Sequence, residues 1–366
     1  MQLLATRPAP QGLHRDGGPP APRSRAPSGS AAPAASAGNG APQASPVVRA
    51  MALVADELAA AEQVLVDELR GGEAAVAAIG GYLAEAGGKR LRPLLTALGA
   101  RAVGFTGPLP RLMCVGEVLH LGSLLHDDVV DEADDRRGRP AAHRVFGNAG
   151  VILTGDVCLA RAVLLAAEAG GLRPVTELGR VVVEMSEGEV LQLRHRGDLS
   201  LPLPAYWDII ERKSAALIAW CAAAGAWASD QGAAADALVA YGRGVGVAFQ
   251  VTDDVLDYIG DPAVTGKARG RDLCERKLTL PLLLAIERDP ELRGLLGHLP
   301  APQALRPAEL EALVERVIAT GGPAEALAVA RAQVEGAVGA LHERLPPSPF
   351  REGLVALGHH LVERVR

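Results

Sequence analysis

The 366-residue sequence is poor in the residues that build disulfide frameworks, aromatic cores and nucleic-acid surfaces. Its four cysteines, at positions 114, 158, 221 and 274, form no closely spaced pair, which excludes a zinc knuckle or a disulfide framework and favours a reducing cytosol. The net charge of -6 argues against nucleic acid as the main partner. After Met51, the longest uncharged stretch is residues 214–229, which is shorter than the roughly 20 residues that span a bilayer, so we interpret it as a buried helix.

Several familiar catalytic motifs are also missing from the sequence. There is no GxxxxGK[ST] phosphate loop, no His/Cys metal cluster and no G-x-S-x-G nucleophile motif. The stretch "GRGVG" (242–246) has the wrong spacing for a dinucleotide site, and we predict that it permits close helix packing. The chemistry of this protein is therefore expected to depend on metal ions, phosphate groups and an apolar pocket.

The chain divides into two parts by composition. Residues 1–50 are rich in Pro, Ala, Gly and Ser without a hydrophobic period, which predicts a disordered tail. The arginines of this stretch also suit a transit peptide, although its Pro and Gly content would spoil a targeting helix. Residues 51–366 are predicted to form one domain, and a chain that starts at Met51 is expected to fold and to be active.

From Met51 onward, apolar residues recur at helical spacing and alternating β-branched stretches are missing, which predicts an all-α fold, a large helical bundle around an apolar cavity. The predicted helices are 51–70, 73–86, 89–103, 108–131, 141–146, 149–169, 173–195, 204–229, 233–258, 278–287, 307–320, 322–344 and 348–364.

Two acidic motifs stand at the ends of two long apolar segments. Asp127 and Asp131, with Asp128 beside them, follow one segment, and Asp253, Asp254 and Asp257 follow the other. A spacing of four residues places two carboxylates on one helix face, a turn apart. One such motif alone would more often be a solvated helix end, but two copies favour a shared site for hard cations such as Mg²⁺.

Basic residues bracket both acidic motifs, in a pattern typical of a site for a diphosphate substrate. "GGKRLRP" places Lys89, Arg90 and Arg92 at a helix start, where free N–H groups also favour anions. The others are Arg136, Arg137, Lys213, Lys267 and Lys277. His120 lies two turns before Asp127 on the same face. A lone His there is more often a satisfied core residue, but it could donate to a second phosphate.

These residues together resemble the trans-prenyl diphosphate synthases, also called polyprenyl synthetases, and most of all their bacterial long-chain, octaprenyl-type group. The resemblance covers the chain from about residue 80 to its end. The matching stretches are "GGKRLRP", "LHLGSLLHDDVVDEADDRRGRPAAH", "GDVCLARA", "SEGEVLQL", "ERKSAAL", "FQVTDDVLDYIGD", "GKARGRDLCERKLTLPLL" and "FREGLVALGHHLVERVR".

The resemblance implies a role for each matching residue. Asp127, Asp131, Asp253 and Asp257 would hold about three Mg²⁺ ions, which Mn²⁺ can replace, on an allylic diphosphate, and Arg136, Lys213 and Lys267 would neutralise the same group. Lys89, Arg92, His120 and Arg137 would bind isopentenyl diphosphate. Gln250 would lie near the allylic group with Ser214 at its rim, and Lys277 belongs to a closing loop. In that loop, Arg276 replaces the family's usual glycine, which implies strain if the position has a positive φ.

Product length is expected to depend on positions just before the first motif. In the short-chain enzymes of the resembled family, aromatic side chains there block the tunnel for the growing chain, whereas this sequence has Gly122, Ser123 and Leu119, and only 3% aromatic residues overall. An open tunnel favours a product in the octaprenyl range. The resemblance further implies that the product serves quinone side chains, that it is delivered to a membrane, and that the enzyme is a cytoplasmic homodimer. The alternatives are a geranylgeranyl diphosphate synthase, a class I terpene cyclase and a non-catalytic regulatory subunit. Cyclases usually lack the second Asp motif, and such subunits typically lose one of the two.

Overall fold

Two long helices, Leu109–Val130 (α5) and Gly232–Ile259 (α11), carry the two acidic motifs at their C-terminal ends. The computed structural model describes residues 45–85, 87–88, 90–136, 138–261, 269–298 and 306–364, so the predicted tail lies outside the described residues up to residue 44. The predicted all-α class is confirmed, because the described strands are only a two-residue pair, Asp135–Arg136 (β1) and Arg139–Pro140 (β2).

Each of the other described helices buries at least one apolar residue. They are Pro46–Ala52 (α1), Ala55–Arg70 (α2), Ala74–Glu85 (α3), Leu91–Ala102 (α4), Ala142–Phe146 (α6), Asn148–Gly170 (α7), Leu172–Arg194 (α8), Leu203–Ile210 (α9), Ala216–Ala228 (α10), Arg271–Cys274 (α12), Leu280–Arg288 (α13), Pro290–Gly297 (α14), Pro307–Ala319 (α15), Gly322–Arg344 (α16) and Pro349–Glu363 (α17). Helices α12 and α14 were not predicted from the sequence, because their few residues show too little periodicity.

The packing of α5 and α11 sets the position of the site. Helix α5 packs against α2, α4 and α7, and α11 packs against α10 and α16. On α11, the glycines of the "GRGVG" stretch let α10 and the residue just before it approach closely, since a Cβ on Gly242 would lie 2.4 Å from Ala219 Cα and one on Gly246 would lie 2.6 Å from Ala215 Cα. The predicted packing role of this stretch is confirmed.

The first described helix begins before the predicted domain boundary. Helix α1 starts at Pro46, and Ser45 Oγ accepts a 3.3 Å hydrogen bond from Val48 N. Its Val47 and Ala50 are buried, and the helix packs against α17 near the end of the chain. A boundary at residues 50 and 51 would therefore cut through α1.

The predicted helix 204–229 is interrupted in the structure. A π-helical segment, Glu211–Ala215, joins α9 to α10 and carries Lys213 and Ser214. On α8, Gly188 makes room for this segment, because a Cβ there would lie 2.8 Å from Lys213 N. Such segments are frequent at functional sites, and this one aims two of the predicted substrate-binding side chains.

Among the described residues, one helix, α7, is long and apolar enough to cross a membrane. Its Val151, Cys158 and Ala162 are nevertheless buried in the protein core, where α7 packs against α5. The opposite face of α7 exposes Leu153 and Leu164. These contacts make α7 a core helix with one uncovered apolar face.

Candidate active site

The first acidic motif lies at the end of α5, with its three aspartates in different surroundings. Burial raises the pKa of the Asp127 carboxyl above its ordinary value, and the nearby Lys213 ammonium opposes that shift. Asp128 is 1% exposed and its Oδ1 accepts a 2.7 Å hydrogen bond from Arg136 Nε. Asp131 forms an ion pair with Arg196 from the loop after α8. Each carboxylate of this motif therefore has a cation beside it.

The second motif, at the end of α11, is also held on several sides. Asp253 Oδ1 accepts a 2.9 Å hydrogen bond from Arg364, which follows α17. The Asp257 carboxylate accepts backbone hydrogen bonds from Arg271 N at 3.1 Å and from Asp272 N at 2.9 Å, at the start of α12. Asp257 thus fixes the backbone at the start of α12, in addition to its predicted metal role.

A chain of hydrogen bonds links Ser214 to the second motif. Ser214 Oγ donates to Gln250 Oε1 at 2.7 Å, and Gln250 Nε2 donates to Asp254 Oδ1 at 2.9 Å. Tyr206 donates to the other Asp254 oxygen at 3.0 Å. Burial raises the pKa of Asp254 to about 7, against the two hydrogen bonds that favour its ionised form. The network orients the Gln250 amide toward one side of the site.

Lys213 of the π-helical segment forms an ion pair with Glu189 of α8. Both charges also act on Asp127, with Lys213 lowering its pKa and Glu189 raising it. The three side chains therefore bring α5, α8 and the π-helical segment together at one charged centre. An anion that entered here would compete with Glu189 for the ammonium.

The loop that follows the second motif contributes two more cations. Burial disfavours the charged form of Lys277, yet its pKa is raised because the carboxylates of Glu275, Asp272 and Asp131 lie near. Arg276 has a φ of 54°, so the position that suits glycine is occupied by a side chain in the left-handed region. The strain inferred for this loop from the sequence is therefore present in the backbone.

A cavity of about 200 Å³ lies between these elements. Its wall combines cations, amide and hydroxyl groups, and apolar side chains. The cations are Arg196, Lys213, Arg276 and Lys277, the polar groups include Ser214 and Gln250, and the apolar groups include Ile209, Ile210 and Leu278. The carboxylates of Asp127 and Asp131 interact with cations that line this cavity. Asp127 lies near Lys213, and Asp131 lies near Arg196 and Lys277. A cavity lined by both cations and apolar side chains fits a diphosphate with a hydrocarbon chain.

The donor set of the site fits Mg²⁺ bound jointly by protein and phosphate. In the described part of the chain, no three Asp, Glu, His or Cys side chains converge on one point. Mg²⁺ does not require such a cage, because it commonly takes one or two carboxylates together with waters and substrate phosphates. Asp127, Asp131 and Asp253 offer separate carboxylates of this kind.

The predicted isopentenyl diphosphate residues lie partly within the described chain. Arg92 lies on the first turn of α4, and a Cβ on Gly116 would be 3.7 Å from Arg92 Cβ. His120 is one turn further along α5, on the same side as Gly116, so Arg92 and His120 face one region. Arg90 points elsewhere, because it pairs with Glu62 at 2.7 Å and with Glu117 at 3.1 Å. Lys89, Arg137 and Lys267 lie outside the described residues.

The three predicted chain-length positions differ in their surroundings. Gly122 faces α7, where an added Cβ would lie 2.9 Å from Cys158 Cβ and 3.0 Å from the Gly155 carbonyl oxygen. Leu119 is buried, and the half-buried Ser123 donates to the His120 carbonyl at 2.9 Å. A large side chain at Gly122 would push α5 and α7 apart, so Ser123 is the better position for an obstruction.

A family model described as polyprenyl synthetase matches residues 73–317 of this chain. The chain belongs to the polyprenyl synthetase family. It is 35% identical over 316 residues to the octaprenyl diphosphate synthase of Escherichia coli (strain K12), covering 86% of this chain and 98% of that relative. It is 38% identical over 306 residues to the octaprenyl diphosphate synthase of Haemophilus influenzae, covering 78% and 87%.

A solved structure shows the same fold in another polyprenyl synthetase. The crystal structure of a polyprenyl synthase from Caulobacter crescentus CB15, complexed with calcium and isoprenyl diphosphate, matches with a TM-score of 0.82 and 36% identity, covering 87% of this chain and 98% of that one. The family, the helical fold and the trans-prenyltransferase class inferred from the sequence are confirmed.

Within this polyprenyl synthetase, the structure brings together most described residues of the predicted allylic site. Asp127, Asp131, Lys213 and Lys277 lie within one electrostatic network, and Ser214 bonds Gln250. Sequence reasoning missed the partners that hold these groups, namely Glu189, Arg196, Tyr206, Asp272 and Arg364. Glu189, Asp272 and Arg364 lie in stretches that match the family, but no spacing rule links any of the five residues to the acidic motifs.

Proposed function

We propose that this polyprenyl synthetase condenses isopentenyl diphosphate with an allylic diphosphate and releases an all-trans polyprenyl diphosphate in the octaprenyl range, for quinone side chains. The observation that carries the proposal is the cavity that is lined both by the cations Lys213, Arg276 and Lys277 and by the apolar side chains of Ile209 and Leu278. The octaprenyl diphosphate synthases among its relatives support the product class.

The first step is departure of the allylic diphosphate, and the cations of the site assist it. Negative charge grows on the leaving oxygens, so Lys213, Lys277 and Arg136 stabilise the transition state more than the bound substrate. For Lys213 this requires exchange of its Glu189 partner for a phosphate oxygen. Arg136 likewise has to share its guanidinium between Asp128 and the substrate. Lys267 is assigned to the same group by resemblance.

Asp127, Asp131 and Asp253 are the residues that would hold Mg²⁺, with Asp257 as the fourth carboxylate assigned by resemblance. About three Mg²⁺ ions are proposed, with Mn²⁺ as a substitute. When bound, the metal supplies positive charge to the diphosphate oxygens. Burial raises the pKa of the Asp127 carboxyl, and the Lys213 ammonium limits that rise. Lys213 thereby favours the ionised carboxylate that a metal needs.

The second step is attack of the isopentenyl double bond on the allylic cation. Arg92 and His120, with Lys89 and Arg137, are proposed to hold the isopentenyl diphosphate. The side chains of Ile209, Ile210 and Leu278 line the cavity and exclude water, which would otherwise convert the cation into an alcohol. The released diphosphate is proposed to accept the final proton, as the charged groups around it already hold it in place.

We infer that the chain works as a homodimer in the cytoplasm and hands its product to a membrane. Helix α7 exposes Leu153 and Leu164, and α8 exposes Val183 and Val190. Exposed apolar side chains that cluster on a protein surface are typical of an interface with another chain. Light scattering coupled to gel filtration should give twice the chain mass. Leu164→Glu should shift it toward the monomer, whereas Glu335→Gln on α16 should not.

A radiolabelled isopentenyl assay tests the reaction. The full chain is incubated with Mg²⁺, labelled isopentenyl diphosphate and allylic primers of three lengths, and the products are dephosphorylated and separated by chromatography. All-trans products near the octaprenyl length are expected. A geranylgeranyl product would correct the length alone, a cyclic hydrocarbon would indicate a cyclase, and no product from any primer would contradict the proposal.

A further inference from the structure

Arg196 is a cation of the site that no sequence motif assigns. It follows α8 in a loop whose backbone is held on both sides. Arg196 N donates to Leu193 O at 3.3 Å, and Gly197 N, at a φ of 77°, donates to Arg276 O at 3.0 Å. Asp198 accepts further bonds from Ser200 N and from His195 Nδ1, each at 3.0 Å. The backbone at Arg196 is therefore fixed, and its long side chain is the part that can reorient.

The Arg196 guanidinium bonds Asp131 Oδ1 at the end of the first acidic motif. Asp131 is one of the carboxylates proposed to hold Mg²⁺. A guanidinium and a divalent cation on the same carboxylate repel each other at this short range. Arg196 and a metal therefore compete for the negative charge of Asp131, and entry of the metal favours departure of the guanidinium.

A guanidinium of Arg196 that left Asp131 would remain beside the cations of the cavity. Arg196 lines that cavity together with Lys213, Arg276 and Lys277. A guanidinium matches the geometry of two phosphate oxygens, so a diphosphate there offers it a new partner. A diphosphate thus lowers the cost of removing Arg196 from Asp131, and a metal at Asp131 releases Arg196 for the diphosphate.

We propose that Arg196 is a positioning residue that couples metal binding to diphosphate binding, by exchanging Asp131 for the diphosphate when the metal arrives. This inference rests on the proposed function, since it takes the metal role of Asp131 from it. Coupling of this kind is reciprocal, so each ligand raises the affinity for the other by the same factor. The acidic site is therefore expected to bind a metal weakly when diphosphate is absent and more tightly when diphosphate is bound.

The test measures binding, not turnover. Mn²⁺ is titrated calorimetrically into the full chain, without and with saturating inorganic pyrophosphate, and blanks correct for the metal–pyrophosphate complex. Arg196→Gln should bind Mn²⁺ alone about three- to tenfold more tightly than the wild type, and the gain from pyrophosphate should shrink by a similar factor. Arg196→Lys, which keeps the charge but loses the fork, should fall between the two.

The matched control is Arg180→Gln on α8, where Arg180 pairs with Glu177 at 2.8 Å. It should leave both titrations unchanged. If Arg196→Gln lowered only the melting temperature and left the metal–pyrophosphate coupling intact, the pair would be structural and the inference wrong. Asp131→Asn separates this from the proposed function. If that variant binds Mn²⁺ as the wild type does, the metal assignment itself fails.

Discussion

Arg364 donates a 2.9 Å hydrogen bond to Asp253 and its guanidinium lies 4.7 Å from the centre of the Phe249 ring. The end of the chain is thereby attached to the second acidic motif. Arg364→Gln is expected to lower the free energy of unfolding by about 0.5–1 kcal/mol, because Asp253 is 43% exposed and solvent screens the pair.

A double-mutant cycle with Asp253→Asn, followed by urea unfolding, measures this contact. The coupling between Arg364 and Asp253 should account for most of the Arg364→Gln effect. Arg344→Gln, at the exposed end of α16, serves as the control. Strictly additive effects of the two substitutions would contradict an energetic link between α17 and the motif.

Asp127→Ala and Asp253→Ala should each lower turnover by several orders of magnitude, since each removes a carboxylate at the growing charge. Conservative replacement by Glu should also impair the enzyme, because Mg²⁺ tolerates little geometric error. Steady-state assays after chelation and graded return of Mg²⁺ provide the measurement. Asp236→Ala, exposed near the start of the same α11, should stay near wild type. Full activity of chelated Asp127→Ala would exclude this metal site.

Truncation should show where the folded domain begins. A chain that starts at Ser45 is expected to melt and turn over like the full chain, because α1 is complete. A chain that starts at Met51 loses Val47, which is 9% exposed, and Ala50, which is 2% exposed, so its stability should fall by about 2 kcal/mol. Thermal melting of the two truncated chains compares them. Equal melting temperatures would mean that the packing of α1 against α17 does not stabilise the protein.

Ser123→Phe should shorten the main product while sparing the first condensation, because the ring would obstruct the path beside α5 and leave the charged centre intact. Chromatography of the dephosphorylated products measures the lengths, and Ser123→Ala is the control with an open path. Gly122→Phe should instead destabilise the protein, since a Cβ there already meets α7 at 2.9 Å. An unchanged length distribution for Ser123→Phe would contradict the proposed tunnel.

Arg276→Gly should stabilise the closing loop relative to Arg276→Ala. Both substitutions remove the guanidinium, but only glycine accepts a φ of 54° without a Cβ penalty, so the difference should be about 1 kcal/mol. Urea unfolding of the two variants isolates the backbone term. If the alanine variant were the more stable, the loop would not be strained at this position.

The sequence by itself determined the helical class, the two acidic motifs and the cations around them. Helical periodicity predicted most helix positions, because helices such as α2, α8 and α11 each have a long repeated apolar face. A spacing of four also placed Asp127 and Asp131 on one helix face. These properties are local, so residues close together in the chain were sufficient to reveal them.

Only the tertiary structure decided which partners hold those groups. The Glu189 and Arg196 side chains meet Lys213 and Asp131 because α8 packs on the π-helical segment and its loop is bonded to Arg276. Neither the interruption of the helix at Glu211–Ala215 nor the burial of α1 has a periodic signature. Contacts between distant segments depend on how helix faces pack, and a single sequence does not contain that geometry in any local pattern.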